Sequence, residues 1–167
     1  TQMLLNPGFE DGPTAAWVTT TTQSGNFIID SGNNPANART GTWYAWLDGW
    51  GSVGTETLYQ QFSIPAAATA TLKFWMVIGT NETTTTLAND TLKVQVRSSS
   101  GGLLATLATY SNLDSIGMTD YVQKTFDLSA YAGQTIRIYF EGTENGTLST
   151  SFLLYDFELN TTGGAPA

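Results

Sequence analysis

The segment ATLKFWMVI, residues 70–78, is rich in apolar and β-branched side chains. An extended strand places Leu72, Phe74, Met76 and Ile78 on one face and Lys73, Trp75 and Val77 on the other. The same alternation recurs in residues 90–97 and 135–141. No stretch shows the 3.6-residue period of an amphipathic helix. This pattern predicts an all-β chain.

Short segments of this kind are separated by turn residues throughout the chain. They predict eleven strands, which is more than one flat sheet usually holds. We therefore expect a two-sheet antiparallel β-sandwich of the jelly-roll kind. The predicted strands are Met3–Leu5, Ala15–Thr20, Asn26–Asp30, Trp43–Asp48, Glu56–Ile64, Ala70–Ile78, Asp90–Arg97, Leu103–Tyr110, Tyr121–Asp127, Thr135–Glu141 and Ser151–Leu159.

The composition argues against several classes of function. The chain has 6 basic and 14 acidic residues, and its formal net charge of −8 opposes binding to nucleic acid or anionic membranes. It contains no Cys and no His, which removes disulfides, zinc-thiolate sites and His-dependent catalytic triads. No apolar run reaches the roughly 18 residues that a membrane span requires. We expect neither a nucleic-acid partner nor membrane insertion.

The strand face opposite the apolar one carries basic and aromatic side chains. A solvent-exposed sheet surface is one explanation. The other is a shallow platform on which a sugar ring stacks over Trp75 or Tyr139, while planar polar groups orient its hydroxyls. Trp50 lies between glycines in a predicted loop, and an exposed loop Trp often marks a contact surface. The candidate ligand-binding residues are Trp75, Tyr139, Arg137, Gln95, Arg97, Tyr59 and Trp50.

The carboxylates divide into candidate calcium ligands and candidate catalytic acids. Calcium takes about six to eight oxygens from carboxylates and turn carbonyls, and both are abundant here. Glu10 follows Phe9 in the segment LLNPGFE and has few basic partners, so a cation is expected there, with Asp156 as the second ligand. A looser set is either a second ion site or plain surface charge, and surface charge is the preferred interpretation: Asp48, Glu56, Glu82 and Asp90. A glycosidase pair drawn from Glu56, Glu141 and Glu158 is a further alternative.

Five motifs are spread across the chain: NPGFE followed by a Trp, ARTGTWYAWLDGWG, TLYQQFSIP, LSAYAGQTIRIYFEGTE and SFLLYDFEL. Together they resemble the C-terminal accessory module of secreted bacterial peptidases of the sedolisin type. More broadly, they resemble the galactose-binding-like β-sandwiches that include many carbohydrate-binding modules. The resemblance implies neighbouring first and last strands and a structural Ca²⁺ ion held by Glu10 and Asp156. The carbonyl near Thr40 is the implied third ligand.

The sequence as a whole is interpreted as a secreted, non-catalytic, calcium-stabilised binding module. It would position a fused catalytic domain on a polymer, with polysaccharide preferred over a protein substrate. Residues 1–160 are expected to form this domain, and residues 161–167 a linker or disordered tail. The alternative is a structural or adhesive subunit of an extracellular assembly.

Overall fold

A computed structural model describes residues 1–31, 39–146 and 148–164. These residues form two antiparallel sheets and two short 3₁₀ turns, which confirms the predicted all-β sandwich. The 3₁₀ turns span Asn112–Ser115 and Ser129–Tyr131. The strands are β1 Val18–Thr21, β2 Ile29–Asp30, β3 Tyr44–Asp48, β4 Gly54–Ser63, β5 Ala68–Thr80, β6 Thr91–Ser98, β7 Leu103–Ser111, β8 Val122–Asp127, β9 Thr135–Glu144 and β10 Thr150–Gly163.

Each sheet contains five strands. The first has the order β1-β4-β9-β6-β7, and the second has the order β2-β3-β10-β5-β8. Most strands that are consecutive in the chain therefore lie in different sheets. This alternation between sheets decides which of the predicted surface residues can meet.

The core lies between the sheets and has an aromatic centre. Phe157 packs against Phe74 and Phe140, with ring centroids 5.3 Å apart in both pairs. Phe9 and Trp17 pack against the same ring, at 5.6 and 5.1 Å. The predicted apolar faces of β5, β6 and β9 are buried, so the alternation in the sequence assigned these faces correctly.

The N-terminal segment differs from its predicted form, because Met3–Leu5 is not a strand. An isolated bridge joins Gln2 to Asn160 of β10. Leu5 makes its backbone hydrogen bonds with a side chain instead of a strand: its N–H donates to Gln60 Oε1 at 2.7 Å, and its carbonyl accepts from Gln60 Nε2 at 3.0 Å. The Gln60 side chain therefore takes the place of a neighbouring strand for Leu5. The N-terminal segment still lies beside β10, as the bridge from Gln2 shows.

Strand β10 extends beyond the expected domain boundary at residue 160. It continues to Gly163, and its last residues pair with the start of β5. Residues 165–167 of the expected tail lie outside the described part of the chain. A register shift between Tyr155 and Glu158 forms a β-bulge around Asp156, whose φ is 54°.

Candidate functional site

A pocket of about 250 Å³ lies where β3 ends and β4 begins. We call it the Trp50 pocket. Trp50 is 38% exposed, as predicted for a Trp that lies between two glycines in a loop. Aromatic and acidic side chains share the walls: Phe27, Asp30, Trp46, Asp48, Trp50 and Glu56.

A buried carboxylate holds the loop that carries Trp50. The Trp50 N–H donates to Glu144 Oε1 at 2.8 Å, and the Gly51 N–H donates to Glu144 Oε2 at 3.1 Å. Glu144 is only 1% exposed, so these bonds are shielded from water. Burial raises the pKa of Glu144, while the backbone N–H groups oppose that rise. The loop backbone is therefore anchored behind its exposed indole ring.

Two buried carboxylates line the inner part of the Trp50 pocket. The Asp48 N–H donates to Glu56 Oε1 at 2.7 Å. Burial, together with the charges of Glu144, Glu56 and Asp90, raises the pKa of Asp48 to about 9. Asp48 Oδ2 and Trp46 Nε1 are buried without a hydrogen-bond partner. The pocket thus has polar atoms that the protein itself does not satisfy.

Most of the predicted ligand-binding residues meet on the outer face of the sheet formed by β4, β9 and β6. Tyr59 and Tyr139 stack with their ring centroids 5.5 Å apart. The guanidinium carbon of Arg97 lies 3.7 Å from the Tyr139 centroid, and that of Arg137 lies 4.5 Å from the Tyr59 centroid. We call this set the Tyr139 surface: Tyr59, Gln95, Arg97, Arg137 and Tyr139.

Both guanidiniums of the Tyr139 surface have further partners. Arg97 Nη2 donates to Gln95 Oε1 at 2.8 Å and lies 3.7 Å from Glu141 Oε2. Arg137 Nε donates to Gln61 Oε1 at 3.0 Å. A guanidinium therefore covers one face of each tyrosine ring, and a sugar that stacks on that face has to displace a bonded arginine.

Trp75 does not belong to the Tyr139 surface. It lies in β5 of the other sheet, beside Tyr155 of β10, and the Arg39 guanidinium carbon is 3.7 Å from its ring centroid. The expectation of one platform containing Trp75 and Tyr139 is therefore wrong. Alternation assigns each residue to the outer face of its own sheet, but it carries no information about which sheet that is.

The predicted calcium ligands Glu10, Thr40 and Asp156 lie in one neighbourhood. The Tyr155 hydroxyl donates to Glu10 Oε1 at 3.2 Å and lies 3.0 Å from Thr40 Oγ1. The next residue, Asp156, forms an ion pair with Arg39 at 3.1 Å. Tyr155 therefore connects Glu10 with Thr40, and Asp156 is joined to this part of the structure through Arg39, the residue before Thr40.

Protein donors already occupy both carboxylates of this set. Glu10 Oε1 accepts the N–H groups of Thr42 and Trp43 at 2.9 and 3.1 Å. A Cβ at Gly41, whose φ is +66°, would overlap the Glu10 carboxylate, so only glycine lets this turn close around it. The oxygen donors suit Ca²⁺, but an ion there competes with backbone N–H groups for Glu10 and with Arg39 for Asp156.

Across residues 1–31, 39–146 and 148–164, no three His, Cys, Asp or Glu side chains converge as a ready-made metal site. Within those same ranges, no helix has the length and apolar character needed to cross a bilayer.

The acids interpreted as surface charge are in fact mostly buried. Asp48, Glu56 and Asp90 are 5%, 2% and 0% exposed, so that interpretation is wrong for these three. Glu82 is half-buried and accepts a hydrogen bond from Asn89 Nδ2 at 3.2 Å. Strand phase explains the burial of Glu56, because it shares the inward-facing phase of β4 with Leu58.

Sequence reasoning missed Glu144 entirely. A signal for it was present, because Ile138, Phe140, Gly142 and Glu144 share one phase of β9, and that phase faces the interior. The predicted strand ended at Glu141, so Glu144 was not assigned to the inward-facing phase. The structure shows the strand continuing to Glu144.

The three acids considered for glycoside hydrolysis do not share a cleft. Glu56 points into the sandwich from β4 and is buried. Glu141 belongs to the opposite phase of β9 and pairs with Arg97 on the outer face of the same sheet. Glu158 is exposed on β10 of the other sheet. A glycosidase needs two carboxyls across one bond, and these positions do not supply such a pair.

The sandwich is similar to solved carbohydrate-binding modules. TmCBM61, solved in complex with β-1,4-galactotriose, superposes with a TM-score of 0.66 at 17% identity, covering 97% of this chain and 99% of that one. The CBM22-1 xylan-binding domain of Paenibacillus barcinonensis Xyn10C gives 0.55 at 14% identity, covering 95% and 93%. The K3 cleaved adhesin domain of Lys-gingipain from Porphyromonas gingivalis W83 gives 0.61 at 19% identity, covering 96% and 98%.

The chain therefore has the two-sheet β-sandwich fold that these modules and the adhesin domain share. At these identities the likeness establishes the fold and leaves the ligand open. No protein-family model matches the sequence, and no curated protein sequence matches it either.

Proposed function

We propose that this chain is a non-catalytic carbohydrate-binding module that holds a polysaccharide at the Trp50 pocket. The observation that carries the proposal is the meeting of Phe27, Trp46 and Trp50 with carboxylates in one pocket. Aromatic rings pack on the C–H faces of sugars, and carboxylates accept hydrogen bonds from sugar hydroxyls. Because Glu144 anchors the Trp50 loop, little backbone freedom is lost when a ligand binds.

The charge of the pocket favours an uncharged polysaccharide. Asp30 and Glu56 line it, and the whole chain carries a formal charge of −8. Anionic sugars are repelled by such a field. Structural neighbours bound to galactotriose or described as xylan-binding support this class of ligand, so galactan and xylan are the first polymers to test.

The Tyr139 surface is a second candidate contact for the same polymer. Arg97 and Arg137 supply planar donors for hydroxyl groups, and Gln95 adds an amide. Its tyrosine rings are less open than the Trp50 ring, because guanidiniums already stack on them. We therefore assign the main contact to the Trp50 pocket.

We further propose that Ca²⁺ stabilises the fold at Glu10, Thr40 and Asp156. In support, Tyr155 of the last strand contacts both Glu10 and Thr40, and Asp156 is the next residue of that strand. The Arg39 and Asp156 side chains are partly exposed, at 32% and 44%, so Arg39 has room to swing away when an ion binds. In this role the ion would supply no chemistry beyond joining the two ends of the sandwich.

A fused catalytic domain and a location outside the cell complete the proposal. The likeness of the NPGFE and SFLLYDFEL motifs to accessory modules of secreted sedolisin-type peptidases supports both. The second candidate function is a structural or adhesive subunit of an extracellular assembly, which the similarity to a cleaved adhesin domain favours. Light scattering separates the two: a binding module stays a small particle, whereas an assembly subunit forms large ones.

The proposed binding site is tested by calorimetric titration with galactan and xylan oligosaccharides. We expect Trp50→Ala to weaken binding about five- to thirtyfold, since a stacked aromatic contributes on the order of 1–2 kcal/mol. Trp75→Ala replaces a tryptophan that does not line the Trp50 pocket, so it is the matched control and should bind as the unmodified chain does.

The same titration distinguishes the Trp50 pocket from the Tyr139 surface. Loss of binding in Tyr139→Ala with full binding in Trp50→Ala would move the ligand to the Tyr139 surface and overturn the pocket. No binding of either polymer, or of any other neutral glycan in a broad panel, would overturn the carbohydrate proposal itself.

A further inference from the structure

Four carboxylates occupy inward-facing or buried positions at one end of the sandwich. Glu56 in β4 has the same phase as the core residue Leu58. Glu144 ends β9, Asp48 ends β3, and Asp90 directly precedes β6. All four are at least 95% buried, with exposures of 2%, 1%, 5% and 0% in that order. Such burial of charge is costly unless each carboxylate has a partner.

Three of the four carboxylates have protein donors. Glu144 accepts the N–H groups of the Trp50 loop, and Glu56 accepts the Asp48 N–H. Asp90 accepts the Asn145 N–H at 3.0 Å and the Thr150 hydroxyl. The ion pairs found among the described residues, Arg39–Asp156 and Arg97–Glu141, include none of the four. Hydrogen bonds therefore hold these groups, but no basic side chain balances their charge.

Asp48 is different, because its Oδ2 is buried and has no hydrogen-bond partner. The backbone of Asp48 has a φ of +66°, which turns the chain at the end of β3. Gly142 makes room for the Asp48 carboxylate, because a Cβ at position 142 would lie 2.6 Å from Oδ2. Adding a proton to Oδ2 leaves that atom a buried donor without an acceptor. A bound cation, in contrast, contacts the oxygen directly.

The residue that carries this oxygen lines the Trp50 pocket. Asp48 and Glu56 both line the pocket, with Asp30 on its wall. The chain has no His and no Cys, so its metal ligands are oxygens, which hard cations prefer. From this geometry we propose that Asp48 and Glu56 bind a Ca²⁺ ion in the inner part of the Trp50 pocket.

The remaining ligands of this ion are water and backbone carbonyls. No three acidic side chains converge among the described residues, so the protein supplies two carboxylates and the pocket supplies room for water. Calcium accepts irregular coordination of this kind, whereas magnesium demands a near-ideal octahedron. We expect a dissociation constant on the order of 0.1–1 mM, as in other extracellular modules.

This site is separate from the one proposed at Glu10 and Asp156, and the two are distinguished by variants. Asp48→Asn is nearly isosteric, and Asn tolerates a positive φ, so this variant should fold. Glu56→Gln removes the second carboxylate. Glu10→Gln removes the other proposed calcium site, and Asp11→Asn changes an exposed carboxylate as a matched control.

The test is a titration of the chelator-treated full chain with Tb³⁺, read by Trp-sensitised luminescence, and with Ca²⁺, read by calorimetry. In the Glu10→Gln background we expect one remaining binding event that Asp48→Asn abolishes and Glu56→Gln weakens at least about tenfold. Asp11→Asn should leave it unchanged. Absence of that event in Glu10→Gln, its survival in Asp48→Asn, or an unchanged affinity in Glu56→Gln would overturn the proposal. Circular dichroism of each variant confirms that loss of binding is not loss of fold.

Discussion

The Tyr155 hydroxyl donates a hydrogen bond to Glu10 Oε1 at 3.2 Å, although the two residues are 145 positions apart. The same carboxylate accepts two backbone N–H groups from the turn that begins at Gly41. One exposed side chain thus ties the first turn, the turn before β3 and the last strand together. These hydrogen bonds to Glu10 join the three segments without requiring a bound ion.

Replacing this carboxylate should lower stability. Glu10→Ala leaves the Thr42 and Trp43 N–H groups without their acceptor, so we expect the free energy of unfolding to fall by about 1 kcal/mol. Urea denaturation in the presence of chelator measures the change. Asp11→Ala, at the neighbouring exposed carboxylate, should cost less than about 0.5 kcal/mol. Equal losses of stability in the two variants would contradict the role of Glu10 in joining these segments.

Calcium should stabilise the folded chain through two separable sites. An ion at about 100 times its dissociation constant adds about 2.7 kcal/mol per site to the free energy of unfolding. Glu10→Gln and Asp48→Asn should each remove part of this gain, and the double variant should remove all of it. Thermal melts with Ca²⁺ and with EDTA provide the measurement. A melting temperature that EDTA leaves unchanged in the unmodified chain would rule out both sites.

The aromatic centre of the core should dominate stability. Phe157 is 1% exposed and contacts Phe9, Trp17, Phe74 and Phe140. We expect Phe157→Ala to cost about 3–5 kcal/mol, because it leaves a cavity lined by rings from both sheets. Chemical denaturation checks this value.

A surface residue provides the matched control for that core substitution. Leu103 in β7 is 57% exposed, so Leu103→Ala should change stability by less than about 0.5 kcal/mol. Similar losses in the two variants would mean that Phe157 is not at the centre of the core.

In the ion-free protein, stability should fall as pH rises. Burial raises the pKa of Asp48 from 3.8 to about 9, so between about pH 4 and pH 9 the folded state holds a proton that the unfolded state has released. The raised pKa of Glu144 acts in the same direction. Urea unfolding at several pH values in EDTA should show the decline. Asp48→Asn should flatten it and Asp11→Asn should not; an equal slope in the two variants would contradict the assignment to Asp48.

Much of the strand pattern could be predicted from the residues themselves. The alternation of Leu72, Phe74 and Met76 is enough to assign the buried face, because side chains of an extended strand alternate between two faces. The exposure of Trp50 followed from the glycines on either side of it. The failure at Met3–Leu5 has a specific cause: the buried side chain of Gln60 takes the place of a strand partner for Leu5, and no local pattern encodes that contact.

The sequence by itself determined the fold class, the core faces and the absence of thiol and imidazole chemistry. Each of these depends on residue type or on spacing along one strand. Only the tertiary structure decided that Trp75 and Tyr139 lie on opposite sheets, that Asp48 and Glu56 line one pocket, and that Glu144 anchors its loop. The reason is that most consecutive strands lie in different sheets, so the neighbours of a side chain across the sandwich depend on pairing order, which strand periodicity does not specify.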